Sequence, residues 1–264
     1  MPILYSAILP HSPILLPTIG KDVANAVSAT TQSISKIAEK LSEFAIDTVI
    51  IITNPDTTSS TDTLTIQTGE LFKALFEEFG DFVTHEEIKC DTPLALAIKK
   101  GLEEKGIPVQ FNSSENLDYS ASVPLILLNA VALKTIIIQP PDCAHKLLMT
   151  YGEALQKIVQ ESDKRIALIA SGDLSHSLTA DAPLGLRLEA TVVDQDIIEL
   201  FRSRRIPIRK INSFQKEAAR YTGVCGLNAF VLLAGILAHM NFKPYFHSYE
   251  GPLGVGYCVI SYSF

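Results

Sequence analysis

The sequence predicts an α/β fold: a mixed, mostly parallel central sheet with helices on both faces, in a single domain spanning residues 1–264. Three observations lead there. Short β-branched runs alternate with segments of helical spacing along the chain, the pattern of strands joined by helical crossovers. No low-complexity linker and no repeat of fixed period interrupts that alternation. The 264 residues, 47% hydrophobic and 19% charged, suffice to bury a core and are too apolar for a disordered chain.

Each element follows in order. ILYSAIL (3–9) reads as the first strand. Residues 21–44 place Val23, Val27, Ile34, Ile37, Ala38 and Leu41 at helical spacing. DTVIIIT (47–53) is a β-branched strand bounded by Asn54-Pro55. TLTIQT (63–68) leads into a helix expected near 70–79. A helix over 92–105 takes Asp91 or Thr92 as its cap, with Pro93 at its first position. IPVQF (107–111) is a strand and VPLILLNAVAL (123–133) a helix. KTIIIQ (134–139) is a strand, 142–162 a helix, and RIALIAS (165–171) the next strand. Helices then cover about 184–203 and 225–240. PYFHSYE (244–250) and VGYCVISYSF (255–264) close the chain as two strands around a glycine-rich loop, adding antiparallel or mixed pairing.

Several function classes are disfavoured. A net charge of -7 argues against a nucleic-acid footprint. The one basic cluster, FRSRRIPIRK (201–210), reads as a solvated helix end and loop. CGLNAFVLLAGILAHM (225–240) is short for a membrane span and contains Asn228 and His239, so it reads as a buried core helix. The first residues lack a basic region and carry prolines at 2, 10, 13 and 17, so no signal peptide is expected. Cys90, Cys143, Cys225 and Cys258 form no CxxC pair; reduced thiols in a cytoplasmic protein are expected.

In an open α/β sheet, ligands sit outside the carboxyl ends of the strands. The polar residues expected there are His11, Asn54 and Asp56, Asp118 and Tyr119, and Asp173 and His176. Imidazole and carboxylate ligands suit iron(II), manganese or zinc. Taken alone, a single histidine after a strand is more often a hydrogen-bonded structural residue. Within SGDLSH (171–176), Gly172 is expected to permit a turn and Asp173 to orient or cap. Ser175 and His176 are adjacent, so their side chains diverge, and no GxSxG elbow is present. Cys225 lies at an expected helix start, where a thiolate is favoured, or is a small buried apolar residue. GPLGVG (251–256) leads into a strand rather than a helix, which makes it a tight turn and not a dinucleotide fingerprint.

PHSP (10–13), the Pro55-Asp56 dipeptide, LDYSASVPL (117–125), SGDLSH, CGLN (225–228) and YEGPLGVGY (249–257) occur in the order of one family. The chain resembles the LigB-type class III extradiol ring-cleaving dioxygenases, and within them the Memo-like branch that includes AmmeMemoRadiSam system protein B. The resemblance implies an α/β protein that holds iron(II) with two histidines and a glutamate, and uses a further histidine as acid/base. His11 matches the first histidine ligand and His176 the acid/base histidine. Asp56 stands where the family has histidine, Asp118-Tyr119-Ser120 where it has Asp-His-Gly, and Asn228 at the place of the glutamate. Cys225 matches a cysteine of the Memo-like branch.

The resemblance thus implies His11, Asp56, Cys225 and Asn228 as metal candidates, and His176, Asp173 and Tyr119 as catalytic candidates. The implied cofactor is a divalent metal, iron(II) first, with zinc or none as alternatives. The implied substrate is a small aromatic or dihydroxy compound. A metal-binding or partner-binding protein without dioxygenase activity is the alternative. No nucleic-acid or membrane partner is expected, and homo-oligomers are common for such folds.

Overall fold

The structure is a computed structural model and describes residues 2–53 and 62–264. Asn54, Pro55 and Asp56 therefore lie outside the described residues. The first half of the chain forms β1 (Ile3–Leu9), α1 (Ser28–Glu43), β2 (Thr48–Ile52), β3 (Leu64–Gln67), β4 (Leu71–Phe76), β5 (Asp81–Lys89), α2 (Thr92–Glu103), β6 (Val109–Asn112), β7 (Asn116–Leu117) and α3 (Tyr119–Leu127). The second half forms β8 (Lys134–Gln139), α4 (His145–Gln160), β9 (Ile166–Ser171), α5 (Ala190–Phe201), α6 (Ile208–Ser213), α7 (Lys216–Thr222), α8 (Leu227–Leu237), β10 (Lys243–Glu250) and β11 (Tyr257–Ser263).

Eight strands make one sheet in the order β10-β11-β1-β9-β2-β8-β3-β6. Its middle, β1-β9-β2-β8, is parallel, as is β3-β6. The pairs β1-β11, β10-β11 and β3-β8 are antiparallel. This is the predicted mixed, mostly parallel sheet. Its central strands are buried on both faces, which is why they read as unbroken apolar runs. Along β2, Ile50 and Ile52 join the core under α4 and α8, while Val49 and Ile51 join the core under α1 and α3. Every residue of α8 is buried, so the apolar run at 225–240 is a core helix. No helix among the described residues is long and apolar enough to cross a membrane.

The largest departure is at 70–79. The expected helix is instead β4 and a short 3-10 turn, Glu77–Phe79. Phe72, Ala74 and Phe76 all point into the core, a period of two, because β5 and β7 flank β4 in a second, three-stranded sheet. ELFKALF satisfies both periods locally; only the presence of strand partners decides between them. β5 is largely polar and lies at the edge of that sheet, which hid it from a hydrophobic reading. The expected helices also shrink at their ends. α1 begins at Ser28 and α5 at Ala190, later than 21 and 184. α3 begins at Tyr119, capped by the Asp118 carboxylate on the Ser120 N–H, and ends at Leu127, before Asn129 adopts a φ of 52°. α6 and α7 are too short to have shown a period.

Gly172 differs from expectation in its reason. It is not among the residues with positive φ, so turn geometry does not demand glycine. A Cβ there would lie 2.1 Å from the Gly226 Cα, backbone against backbone. The chain leaving β9 and the chain entering α8 touch because neither carries a side chain. Gly172→Ala is expected to destabilise the fold by about 3 kcal/mol, since overpacking against backbone cannot be relieved by a rotamer change. Urea denaturation measures this, and a loss below about 1 kcal/mol contradicts it.

Candidate metal centre

The parallel strands β1 and β9 run in register, Leu9 opposite Ser171, so their exits deliver His11 and Asp173 side by side. The Gly172 N–H continues the ladder to the Leu9 carbonyl at 2.9 Å. The His11 N–H then donates to Asp173 Oδ1 at 2.9 Å. The Gly172–Gly226 contact brings a third segment in. The Cys225 and Gly226 N–H groups donate to the Asp173 carbonyl at 3.3 and 3.2 Å, and the Asp173 N–H donates to Cys225 Sγ at 3.2 Å.

Three side chains converge as a result. His11, Asp173 and Cys225 each present one ligand atom, all within 4.8 Å of one another. His11 Nε2 lies 3.4 Å from Cys225 Sγ and 3.9 Å from Asp173 Oδ2. Nitrogen and sulfur ligands on one tetrahedral metal stand about 3.5 Å apart, from bond lengths near 2.0 and 2.3 Å. The imidazole–thiol spacing fits such an ion, and the carboxylate needs only a small shift.

The protonation state suits a ligand. His11 is almost fully buried, and burial pushes its imidazole pKa down against the opposing pull of Asp173 and Asp118. A neutral imidazole carries one N–H, and a hydrogen-bond relay decides where it sits. The Ser171 hydroxyl donates to the Ser120 carbonyl. Its oxygen, 3.0 Å from His11 Nδ1, is then left to accept, so Nδ1 carries the proton. The Nε2 lone pair therefore faces Cys225 and Asp173. Ser171→Ala is expected to weaken metal affinity about 10-fold or more by freeing the tautomer, as loss of a ligand's outer partner does. A competition titration against a chelator measures it; unchanged affinity removes the relay from the account.

The other predicted residues are placed as follows. His176 is half-buried, and its Nδ1 donates to the Leu174 carbonyl at 3.0 Å, leaving Nε2 with a lone pair. It stands outside the three-ligand group but close enough to influence the charge of His11. Tyr119 packs its ring edge-on against His11, centroids 5.5 Å apart. Burial first, then the Asp118, Cys225 and Asp173 charges, push its phenol up to about 12, so it is a proton-bearing donor and not a base. Asp173, expected to orient or cap, sits among the donors themselves. Asn228 lies at the start of α8 with its amide nitrogen 3.3 Å from Asp142 Oδ1, and its own Oδ1 is buried without a hydrogen-bond partner among the described residues. Asp56 is outside the described residues.

Three contributors escaped the sequence reading. Ser171 ends the apolar strand β9. Phe79 stacks edge-on against Tyr119 at 5.5 Å, brought there by the β4–β5 turn in place of the helix expected near 70–79. Tyr257 is fully buried beside Ser12, with its phenol raised by burial and by the nearby Asp173 charge. Its membership in YEGPLGVGY was the available signal.

Residues 5–260 match the family described as the catalytic LigB subunit of aromatic ring-opening dioxygenase. Protein CA_C1420 of Clostridium acetobutylicum is 28% identical over 96% of the chain. The chain spans 56% of that protein's length. The crystal structure of the uncharacterized protein JW3007 from Escherichia coli K12 superimposes with a TM-score of 0.67 at 15% identity, covering 98% of this chain and 99% of that one. At that identity the likeness speaks for the fold.

Proposed function

The chain belongs to the LigB family of aromatic ring-opening dioxygenase catalytic subunits, and from that premise we propose that it is a metal-dependent extradiol dioxygenase acting on a small dihydroxy aromatic. The observation that carries the reading is the convergence of His11, Asp173 and Cys225 at the carboxyl ends of β1 and β9. These three would hold a divalent metal, iron(II) by family resemblance, with Asp56 and Asn228 as further candidates. The metal, when bound, would supply a Lewis acid for the substrate oxygens and a site for dioxygen.

The chain's own residues do the rest. His11 offers Nε2 because Ser171 holds its proton on Nδ1. His176 takes the substrate hydroxyl proton at Nε2 and later returns it, its Nδ1–H anchored on the Leu174 carbonyl. Tyr119, kept protonated, donates a hydrogen bond to a substrate oxygen. Tyr119 and Phe79 supply an aromatic wall against which a flat ring packs.

A second reading rests on Cys225. A thiol among the donors favours a softer metal such as zinc, and with it a Memo-like metal- or partner-binding protein without oxygenase activity. One experiment separates the two. Protein purified without an affinity tag is reconstituted anaerobically with iron(II), analysed for metal, and followed by oxygen uptake with a panel of catechols. Stoichiometric iron with substrate-dependent oxygen uptake supports the dioxygenase. Bound metal with no uptake across the panel supports the second reading. Absence of bound metal sinks both.

A further inference from the structure

Asp194 has no part in the chemistry above, yet it is a carboxylate with 0% exposure. It lies on α5, and its three hydrogen-bond donors are all neutral. Oδ1 accepts the Ser175 N–H at 2.9 Å and the Ser175 hydroxyl at 2.5 Å. Oδ2 accepts the Tyr249 hydroxyl at 2.7 Å. Burial pushes its carboxyl pKa up. Retaining such a group costs stability unless its lone pairs are well used.

Two of the segments that carry the family resemblance meet on it. Ser175 belongs to SGDLSH and Tyr249 to YEGPLGVGY. The segments also pair directly, Leu174 N–H to the Gly256 carbonyl and Gly256 N–H to the Ser175 carbonyl, each at 2.9 Å. Gly256 makes room for the carboxylate: a Cβ there would lie 2.3 Å from Asp194 Oδ2. On its other side the same turn touches α7 and α8. His176 N–H donates to the Thr222 carbonyl at 2.8 Å, and the Asp173 carbonyl accepts from Cys225 and Gly226.

We propose that Asp194 is a positioning residue: by clamping Ser175 it fixes the turn that carries Asp173 and His176, and so sets the His11–Asp173–Cys225 geometry. The inference rests on the metal-centre reading and extends it to a residue that touches neither metal nor substrate. Ser175 is two residues from Asp173, whose carboxylate holds the His11 N–H and whose carbonyl holds the start of α8. A carboxylate accepts all three donors at once. An asparagine in its place has one acceptor oxygen, so it gives up at least one of the present bonds or forces the Tyr249 hydroxyl to turn and accept its N–H.

Cobalt(II) is the probe, titrated into the full chain while the cobalt d–d bands and the thiolate-to-cobalt band from Cys225 are recorded. Asp194→Asn is expected to weaken cobalt affinity about tenfold or more and to shift those bands. Tyr249→Phe, which removes only the outer hydrogen bond, is expected to weaken it about threefold. Folded Asp194→Asn protein with wild-type affinity and wild-type bands overturns the proposal. If Asp194→Asn does not fold, Tyr249→Phe decides: unchanged affinity and bands overturn the proposal, and a weakened, shifted site supports it. If the wild type takes up no cobalt, the metal reading fails separately, and amide hydrogen exchange at His11 and Gly226 tests the positioning. Lost protection in Asp194→Asn supports it, and unchanged protection overturns it.

Discussion

His11→Ala is expected to abolish stoichiometric metal binding, weakening affinity at least about 100-fold, beyond the 10–100-fold effect of losing an outer partner. The imidazole is the only nitrogen donor in the three-ligand group, and its lone pair is already aimed at the other two donors. Without it, the group keeps one carboxylate and one thiol, fewer than the three protein donors of a catalytic site. The substitution also leaves the Ser171 oxygen without the Nδ1–H donor, while the backbone N–H to Asp173 is kept, so circular dichroism should accompany the metal analysis. A folded variant that still holds one metal per chain after dialysis would place the site elsewhere.

His176→Ala is expected to lower turnover by about 10²–10⁴ with metal content unchanged, the range for loss of a general acid/base. The separation of the two effects is the informative part. His176 lies outside the three-ligand group, and its ring is held by Nδ1 on the Leu174 carbonyl rather than by the other donors. Loss of metal together with turnover would make His176 a recruited ligand. Full turnover with metal retained would remove the acid/base assignment.

The two predictions differ in how much of their basis was legible in sequence. His11 and His176 stand out because each follows a short apolar run that reads as a buried strand, and strand exits are where α/β proteins build sites. Cys225 was marked by its place before a fully apolar helix. Their mutual arrangement was not legible. His11 and Asp173 are 162 residues apart, and His11 and Cys225 are 214 apart. No local pattern encodes which strand exits become neighbours; the parallel pairing of β1 with β9 and the glycine contact to the start of α8 do that.

By itself, the sequence determined the fold class, because β-branched runs buried on both faces admit few alternatives, and it determined which polar residues end those runs. The tertiary structure decided the rest. It made 71–76 a strand, since β5 and β7 were there to pair with it. It set the Asp173 carboxylate on the His11 N–H and 3.9 Å from His11 Nε2. It also chose the tautomer of His11 through Ser171 and Ser120, whose hydrogen bond joins a strand end to a helix start 51 residues away. The physical reason is the same in each case. Period and residue type act over a few positions, whereas a site is made of hydrogen bonds and close contacts that exist only once distant segments are packed together.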